Sequence, residues 1–175
     1  FDPPIDVSIL TWQWGAYLGA EAKQNGARIK IASFTRGWVN SQMSKAKMIG
    51  GYTTGILSKL EVKRAGYDEA LLLDVDGYVA EGSGENIFMI RRGVIKTTSL
   101  TSVLDGISRA TVIRLAEDLG YKVEEQRFTR DELYCADEVF FTGTAAEITP
   151  IREIDDRKIG TGKPGPITQK VSTEY

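Results

Sequence analysis

Short apolar segments separated by glycine, aspartate or asparagine run through most of the chain, and their periods predict both helices and strands. In residues 28–34, basic and apolar residues alternate with period two, which predicts a half-buried strand. Residues 107–119 form the clearest helix pattern, because apolar residues recur there at i, i+3, i+4 and i+7. A second helix is predicted over residues 52–65. Three of its apolar residues share one side, namely Ile56, Leu57 and Leu60.

Tight turns join several of the predicted strands. Asp76-Gly77 predicts one hairpin turn, and Arg92-Gly93 predicts a second. The predicted strands cover residues 6–12, 28–34, 70–74, 78–80, 86–90, 94–97, 122–128, 138–142, 148–154 and 158–159. Shorter helices are predicted at 15–24 and 130–135, and another begins at 167–171. Hairpin-connected strands with a few helices favour a single α+β domain over residues 1–175, because a doubly wound sheet would alternate strand and helix regularly.

The composition removes several kinds of chemistry. The chain has no histidine and a single cysteine, Cys135, so His-based catalytic triads, His-based metal sites and intrachain disulfides are excluded, and no metal site is predicted. A net charge of −2 argues against a nucleic-acid partner. No apolar run approaches the roughly 18 residues of a membrane helix, so no membrane partner is predicted either. The remaining candidates are lysine, carboxylates, hydroxyls, backbone amides and a borrowed cofactor.

Both ends of the sequence suggest a longer protein. The chain begins with Phe1 rather than methionine, and it stops at Tyr175 while a helix pattern is still running. We therefore expect it to be a fragment, although an expression artefact is an ordinary alternative.

Two loops could hold an anion. Gly106 opens the clearest helix, whose first amides have no intrahelical partner and lie at the positive end of the helix dipole. Simple capping by Asp105 or Ser108 is the favoured alternative for this segment alone. The loop at 143–147 places Thr144 after a buried strand, where it could bind a phosphate or carboxylate or could be an ordinary turn.

Two further segments carry candidate side chains. The loop at 81–86 combines two glycines with two carboxylates, which is more than a minimal hairpin turn needs, but a solvated acidic loop would look the same. Lys45 and Lys47 precede Gly50-Gly51, and a desolvated lysine there could form a Schiff base. Spacing alone does not choose between the two lysines.

Six segments in a characteristic order and spacing carry a family resemblance. They read WGAYLG at 14–19, Lys47 with GGY at 50–52, DVDGY at 74–78, EGSGEN at 81–86, LDGISR at 104–109 and GTAAEITP at 143–150. Over nearly its full length the chain resembles the branched-chain amino acid aminotransferases, which belong to the class IV, fold type IV group of pyridoxal 5′-phosphate enzymes. The resemblance implies the large cofactor-binding domain of that fold, an antiparallel-rich pseudo-barrel sheet with flanking helices.

The resemblance also gives residues their roles. Lys47 is implied to be the catalytic Schiff-base lysine, which moves the substrate proton. The implied cofactor-binding residues are Lys47, Tyr52, Glu81 (facing the pyridine nitrogen), Leu104 (against the ring), Gly106, Ile107, Ser108, Gly143 and Thr144. Family members usually have threonine where Ser108 stands. The implied substrate-binding residues are Trp14, Tyr17, Tyr52, Gly84, Thr144 and Ala145.

Further expectations follow from the same resemblance. The reaction would move an amino group between leucine, isoleucine or valine and 2-oxoglutarate, in a cytoplasmic homodimer or larger homo-oligomer. A small N-terminal domain, expected before Phe1, would supply a phosphate-binding arginine. The alternatives on the same fold are a D-amino acid aminotransferase and aminodeoxychorismate lyase. An alternative of another class is an inactive cofactor-binding fragment.

Overall fold

The computed structural model describes residues 2–175, and its strands there form one mixed sheet. The strands are β1 (Ala27–Thr35), β2 (Glu69–Leu73), β3 (Val79–Gly82), β4 (Asn86–Arg91), β5 (Val94–Thr97), β6 (Val123–Glu125), β7 (Glu138–Gly143), β8 (Glu147–Ile154) and β9 (Arg157–Lys158). Their order in the sheet is β3-β2-β1-β8-β7-β4-β5-β6, with β9 paired to β8. This arrangement confirms the α+β class.

Five α-helices accompany the sheet within the described residues. They are α1 (Ala20–Asn25), α2 (Tyr52–Arg64), α3 (Ile107–Asp118), α4 (Arg130–Tyr134) and α5 (Pro166–Glu174), and a short 3-10 turn covers Ile49–Gly51. Thr129 begins α4 with a capping box, in which the Thr129 N–H donates to Glu132 at 3.0 Å. In residues 2–175 no helix is both long and apolar enough to cross a membrane.

Hairpins account for one part of the sheet and sequence-distant pairs for the other. The predicted hairpins are confirmed, because β2 pairs antiparallel with β3 and β4 with β5. Strand β1 lies parallel to both β2 and β8, and β6 lies parallel to β5. The parallel pairs join segments that no turn connects directly, so local sequence patterns could not predict them.

Both faces of the central strands are buried. In β4, Ile87 and Met89 pack into one apolar cluster, while Phe88 and Ile90 pack into another on the opposite face. Phe88 stacks on Phe140 of β7, with ring centroids 5.0 Å apart. Because alternate side chains are buried on both faces, these central strands form a rigid support for the site described below.

Three predictions about elements are wrong or only partly right. Residues 6–12 form no strand: no described strand pairs with them, and Val7 is 85% and Ile9 89% exposed. A β-branched composition does not make a strand without a partner. The helix predicted at 15–24 is limited to α1, because Gly19 has a positive φ of 89°. The strand predicted at 122–128 is limited to β6.

Helix α2 is present as predicted, but its apolar side does not face the core. Ile56 is 56% exposed and Leu60 51%, whereas the buried residues of the helix are Gly55, Ser58 and Val62. A Cβ atom on Gly55 would lie 2.5 Å from the Ser83 carbonyl oxygen, so this glycine lets the helix approach the loop between β3 and β4.

Candidate active site

Two adjoining cavities lie where the loops after β3, β7 and the 36–52 segment converge, and both are lined by Lys47, Tyr52, Gly84 and Glu85. The first cavity is also lined by Arg36, Ser44, Ala46, Met48, Gly51, Glu81, Ser83, Asn86 and Leu104. The second is also lined by Trp14, Gly15, Tyr17, Thr144, Ala145, Ala146 and Glu147. Most of the sequence-predicted site residues therefore lie together. Glu81 and Leu104 line only the first cavity, and Trp14, Tyr17, Thr144 and Ala145 line only the second.

The two candidate lysines have different environments. The Lys45 ammonium donates to the Val103 carbonyl at 2.6 Å and also to that of Leu100, and burial lowers the pKa of Lys45 although Asp105 and Glu81 oppose the shift. Lys45 therefore ties down the loop before α3. Lys47 lines both cavities, and no described residue forms a hydrogen bond or ion pair with its amine. The geometry favours Lys47 as the reactive amine, a choice that spacing left open.

The Glu81 carboxylate is buried at the floor of the first cavity. It lies 2.5 Å from Arg36 Nε, and it accepts the Leu104 N–H at 3.1 Å. The Asn86 amide donates to Glu81 at 3.4 Å and to the Leu104 carbonyl at 3.0 Å. Burial raises the pKa of Glu81, while the Arg36 guanidinium acts in the opposite direction.

The segment around Gly106 lies at the edge of the first cavity. A Cβ at Gly106 would collide with Asn86 Oδ1, so only glycine allows this approach. Gly106 begins α3 without a side-chain cap, which leaves the first amides of the helix free of the capping predicted for Asp105 or Ser108. Ser108 is buried, and its hydroxyl bonds with the Tyr175 hydroxyl at 2.9 Å.

Four predicted cofactor residues do not line either cavity. They are Gly106, Ile107, Ser108 and Gly143. Ile107 has its side chain 84% exposed, so only its backbone could serve a ligand. Gly143 packs close to the Gly84 carbonyl, since a Cβ there would be 3.4 Å from that oxygen.

Aromatic rings form one wall of the second cavity. Trp14 and Tyr17 meet edge to face with their ring centroids 6.0 Å apart, and Trp14 also contacts Trp12 at 5.6 Å. The Lys59 ammonium lies 3.9 Å from the centroid of the Tyr17 ring, on the side of α2. An apolar wall of this kind suits an apolar side chain of a substrate.

Several site residues carried no sequence signal. Arg36 directly follows β1, Lys59 lies in the middle of α2, and Glu69 begins β2. None of them belongs to a glycine-rich loop or to a recognisable spacing. Glu85 belonged to a candidate loop but had no assigned role. Burial, followed by the nearby Glu69 carboxylate, raises the pKa of Glu85 to about 8.

Comparison with known proteins gives the family. The family description "Amino-transferase class IV" matches residues 1–154 of the chain. The chain belongs to the class IV amino-transferases. The predicted family is thus confirmed.

Relatives of this class IV chain carry branched-chain names. The branched-chain-amino-acid aminotransferase of Pseudomonas aeruginosa is 54% identical over 98% of this chain and 56% of its own length. The crystal structure of the Escherichia coli branched-chain amino acid aminotransferase superposes with a TM-score of 0.91 at 45% identity, covering 93% of this chain and 54% of that one. The chain therefore spans about half the length of the curated relatives it matches.

A third class IV relative, the T.th. branched-chain amino acid aminotransferase, has been solved with ligands. Its structure with pyridoxamine 5′-phosphate has a TM-score of 0.89 at 54% identity, covering 94% of this chain and 54% of that one. The same enzyme with 4-methylvaleric acid gives 0.87 at 49% identity, covering 94% and 52%. With N-(5′-phosphopyridoxyl)-L-glutamate it gives 0.85 at 53%, covering 86% and 51%. These matches confirm the predicted fold.

Proposed function

We propose that the protein to which this chain belongs transfers amino groups between branched-chain L-amino acids and 2-oxoglutarate, with pyridoxal 5′-phosphate as cofactor. One observation carries the proposal: Lys47 lies where a cavity with a buried carboxylate meets a cavity with an aromatic wall. The branched-chain names of the relatives support this reaction over that of a D-amino acid aminotransferase or aminodeoxychorismate lyase.

The residues of the first cavity suit pyridoxal 5′-phosphate. The unpaired Lys47 amine would hold it, the buried Glu81 carboxylate would face its ring nitrogen, and Leu104 and Tyr52 would border the ring. The uncapped amides of Ile107 and Ser108 would hold its phosphate with Thr144. When bound, the cofactor supplies an electron sink for the charge left on the substrate Cα.

Lys47 would also move the substrate proton. In this proposal the Lys47 Nζ would accept the proton from the substrate Cα as general base and would then deliver it as general acid to carbon C4′ of the cofactor. The cavity junction lets the amine reach both the ring side and the substrate side without a change in fold. No histidine is needed for this step.

The second cavity would hold the amino acid. Trp14 and Tyr17 would pack against its branched side chain, Gly84 and Tyr52 would border it, and the Thr144 and Ala145 amides would receive the α-carboxylate. The complexes of the T.th. enzyme support an apolar acid and glutamate as ligands of this site. We further propose that the natural-length enzyme is a cytoplasmic homodimer or larger homo-oligomer, and that a small N-terminal domain supplies an arginine to the phosphate.

Two assays test the proposal on the protein at its natural length. With 2-oxoglutarate as acceptor, we expect amino transfer from L-leucine and none from D-alanine. The reverse preference would refute the branched-chain assignment. Because valine and isoleucine share the β-branch that leucine lacks, the three substrates should be compared under the same conditions.

A further inference from the structure

Three titratable side chains lie close together beside the two cavities. Glu85 lies between β3 and β4, Glu69 begins β2, and Lys59 lies in α2. Lys59 Nζ is 2.7 Å from Glu69 Oε2. Glu69 is fully buried and Glu85 is 3% exposed, so neither carboxyl is solvated. This cluster, Lys59–Glu69–Glu85, has no place in the proposed chemistry.

One bound proton satisfies the cluster. Glu85 Oε1 is buried and receives no hydrogen bond from the described residues, and the nearby Glu69 carboxylate adds to the rise in the pKa of Glu85 that burial causes. Two buried carboxylates cannot hydrogen-bond without a proton between them. With a proton on Glu85, the remaining charges are those of the Lys59–Glu69 ion pair, which cancel, and this is the least costly arrangement in a buried place.

Each end of the cluster contacts a wall of the second cavity. The other oxygen of Glu85, Oε2, accepts the Gly84 N–H at 3.0 Å and lies so close to Gly82 that a Cβ there would be 2.5 Å away. At the opposite end Lys59 lies 3.9 Å from the centroid of the Tyr17 ring. The cluster thus connects the glycine loop to the aromatic wall through β2 and α2.

We propose that Lys59, Glu69 and Glu85 form a singly protonated positioning cluster that holds Tyr17 and Gly84 in place and so sets the shape of the amino-acid cavity. The identity of the ligand in this proposal rests on the proposed function. The contacts of the cluster with Tyr17 and Gly84 do not depend on that function. Loss of the Glu85 proton would leave an uncompensated negative charge. We expect the Glu69 and Glu85 side chains to move apart in response.

Other charged and titratable groups face the same cavities. Lys47 and Tyr52 line both, Arg36 and Glu81 line the first, and Glu147 lines the second with Tyr17. These groups and the cofactor are the same in wild type and in a Glu85 variant. The decisive comparison is therefore between wild type and Glu85→Gln, because those titrations are common to both proteins and cancel in the difference.

The first measurement follows Tyr17 directly. In the natural-length protein with cofactor and ¹³C-labelled tyrosine, the Tyr17 ring signal is assigned through Tyr17→Phe and followed from about pH 6 to about pH 9, below the ordinary titration of a phenol. We expect it to move with a midpoint near the Glu85 pKa of about 8 in wild type and to stay constant in Glu85→Gln. An identical response in both proteins would overturn the proposal, whether or not the protein is a transaminase.

The second measurement links the cluster to binding, with 4-methylvaleric acid as probe because it has no amino group to titrate. Between about pH 6 and about pH 9, the affinity of wild type for 4-methylvaleric acid should fall about tenfold. The decrease for Glu85→Gln should be at least severalfold smaller. Equal pH profiles would contradict a positioning role.

Lys59→Met provides the third variant. It should raise KM for L-leucine about tenfold with kcat nearly unchanged and should shift the Tyr17 signal, since the Tyr17 contact is lost. The matched control is Lys63→Met, an exposed lysine one turn further along α2. Equal effects of the two variants would count against the cluster. Failure of both amino transfer and probe binding in wild type would refute the proposed function. The pH response of the Tyr17 signal would still test whether the cluster positions Tyr17.

Discussion

The proposed choice of Lys47 over Lys45 rests on the surroundings of two amines. The Lys45 ammonium donates to the carbonyls of Leu100 and Val103, whereas Lys47 lines both cavities. The lysine that holds a loop and the lysine proposed to react are two positions apart in the sequence. Their opposite environments make the assignment testable without any assay of turnover.

We expect borohydride reduction of the cofactor-loaded, natural-length protein to attach the cofactor to Lys47. Tandem mass spectrometry of the labelled peptide should place the added mass on that residue. The variant Lys47→Ala should lose the label and at least about a thousandfold in transfer rate, because both the covalent link and the general base disappear. A label on Lys45 would refute the assignment.

Lys45→Met is the matched variant for that experiment. It should keep the label on Lys47 but weaken cofactor retention severalfold, since two loop carbonyls before α3 lose their donor. Loss of the label in Lys45→Met alone would mean that the two roles are exchanged.

The raised pKa of Glu85 has a consequence for stability. Its folded-state pKa of about 8 lies above the ordinary 4.5, so the folded chain keeps a proton that the unfolded chain releases. The stability from this group is fully present below about pH 4.5 and is lost as pH rises through about 8. Glu85→Gln should therefore gain several degrees in Tm over wild type between these limits and level off above them. A Tm difference that does not change with pH would contradict the buried proton.

Site residues in or near the glycine-containing segments could be predicted, whereas charged residues outside those segments could not. Lys47, Glu81 and Thr144 belong to segments that a family resemblance marks. Arg36 and Glu69 lie in or beside strands, where nothing in the local sequence separates an ion pair of the site from a solvated charge. Their roles depend on the distant residues that β pairing brings beside them.

At the scale of elements, α2 is placed by a glycine. Gly55 contacts the Ser83 backbone, so the helix lies directly against the loop that also carries Gly84. Alanine would ordinarily favour a helix by about 1 kcal/mol over glycine, but at this position its methyl group would collide with a carbonyl oxygen. The collision outweighs the gain, because backbone rather than a flexible side chain would have to move.

We expect Gly55→Ala to destabilise the protein by roughly 1–3 kcal/mol, and to raise KM for L-leucine by displacing the 83–85 loop. Chemical denaturation and steady-state kinetics measure the two effects. Thr53→Ala, at an exposed position of the same helix, is the control and should change neither by much. Greater stability of Gly55→Ala would show that the loop yields to the methyl group.

Elements with a local signal were predicted well, and pairings between distant elements were not. Helix α3 and the β4–β5 hairpin lie within a residue or two of their predicted bounds. The parallel pairing of β1 with β2 and β8 has no such signal. The apolar period of residues 52–65 correctly predicted helix α2, but it did not show that the side with Ile56, Leu57 and Leu60 would be exposed.

At the scale of the whole molecule, several large apolar side chains lie exposed outside the core. Ile5 and Ile9 of the first segment, and Ile49, Ile56 and Leu60 near α2, are each at least half exposed, at 90%, 89%, 90%, 56% and 51%. A surface of this kind is a liability for a chain in water. The relatives are about twice as long, which supports the proposal that further protein covers these residues.

We expect the 175-residue chain on its own to have negligible transaminase activity and to bind a hydrophobic dye. The paired substitutions Ile56→Glu and Leu60→Glu should reduce dye binding, while the same number of glutamates at Thr53 and Lys63 should not. Fluorescence titration and a coupled transaminase assay measure the two properties. Robust L-leucine turnover by the isolated chain would refute the proposal that its site is incomplete.

The two cavities draw their walls from different parts of the chain and meet at one amine. Arg36, Glu81 and Leu104 line only the first, while Tyr17 and Ala145 line only the second. In the proposed function, mutations that alter the second set would change which side chain is accepted and leave the first set intact. Such a division lets an ancestral scaffold acquire new substrates one substitution at a time without losing its chemistry along the way.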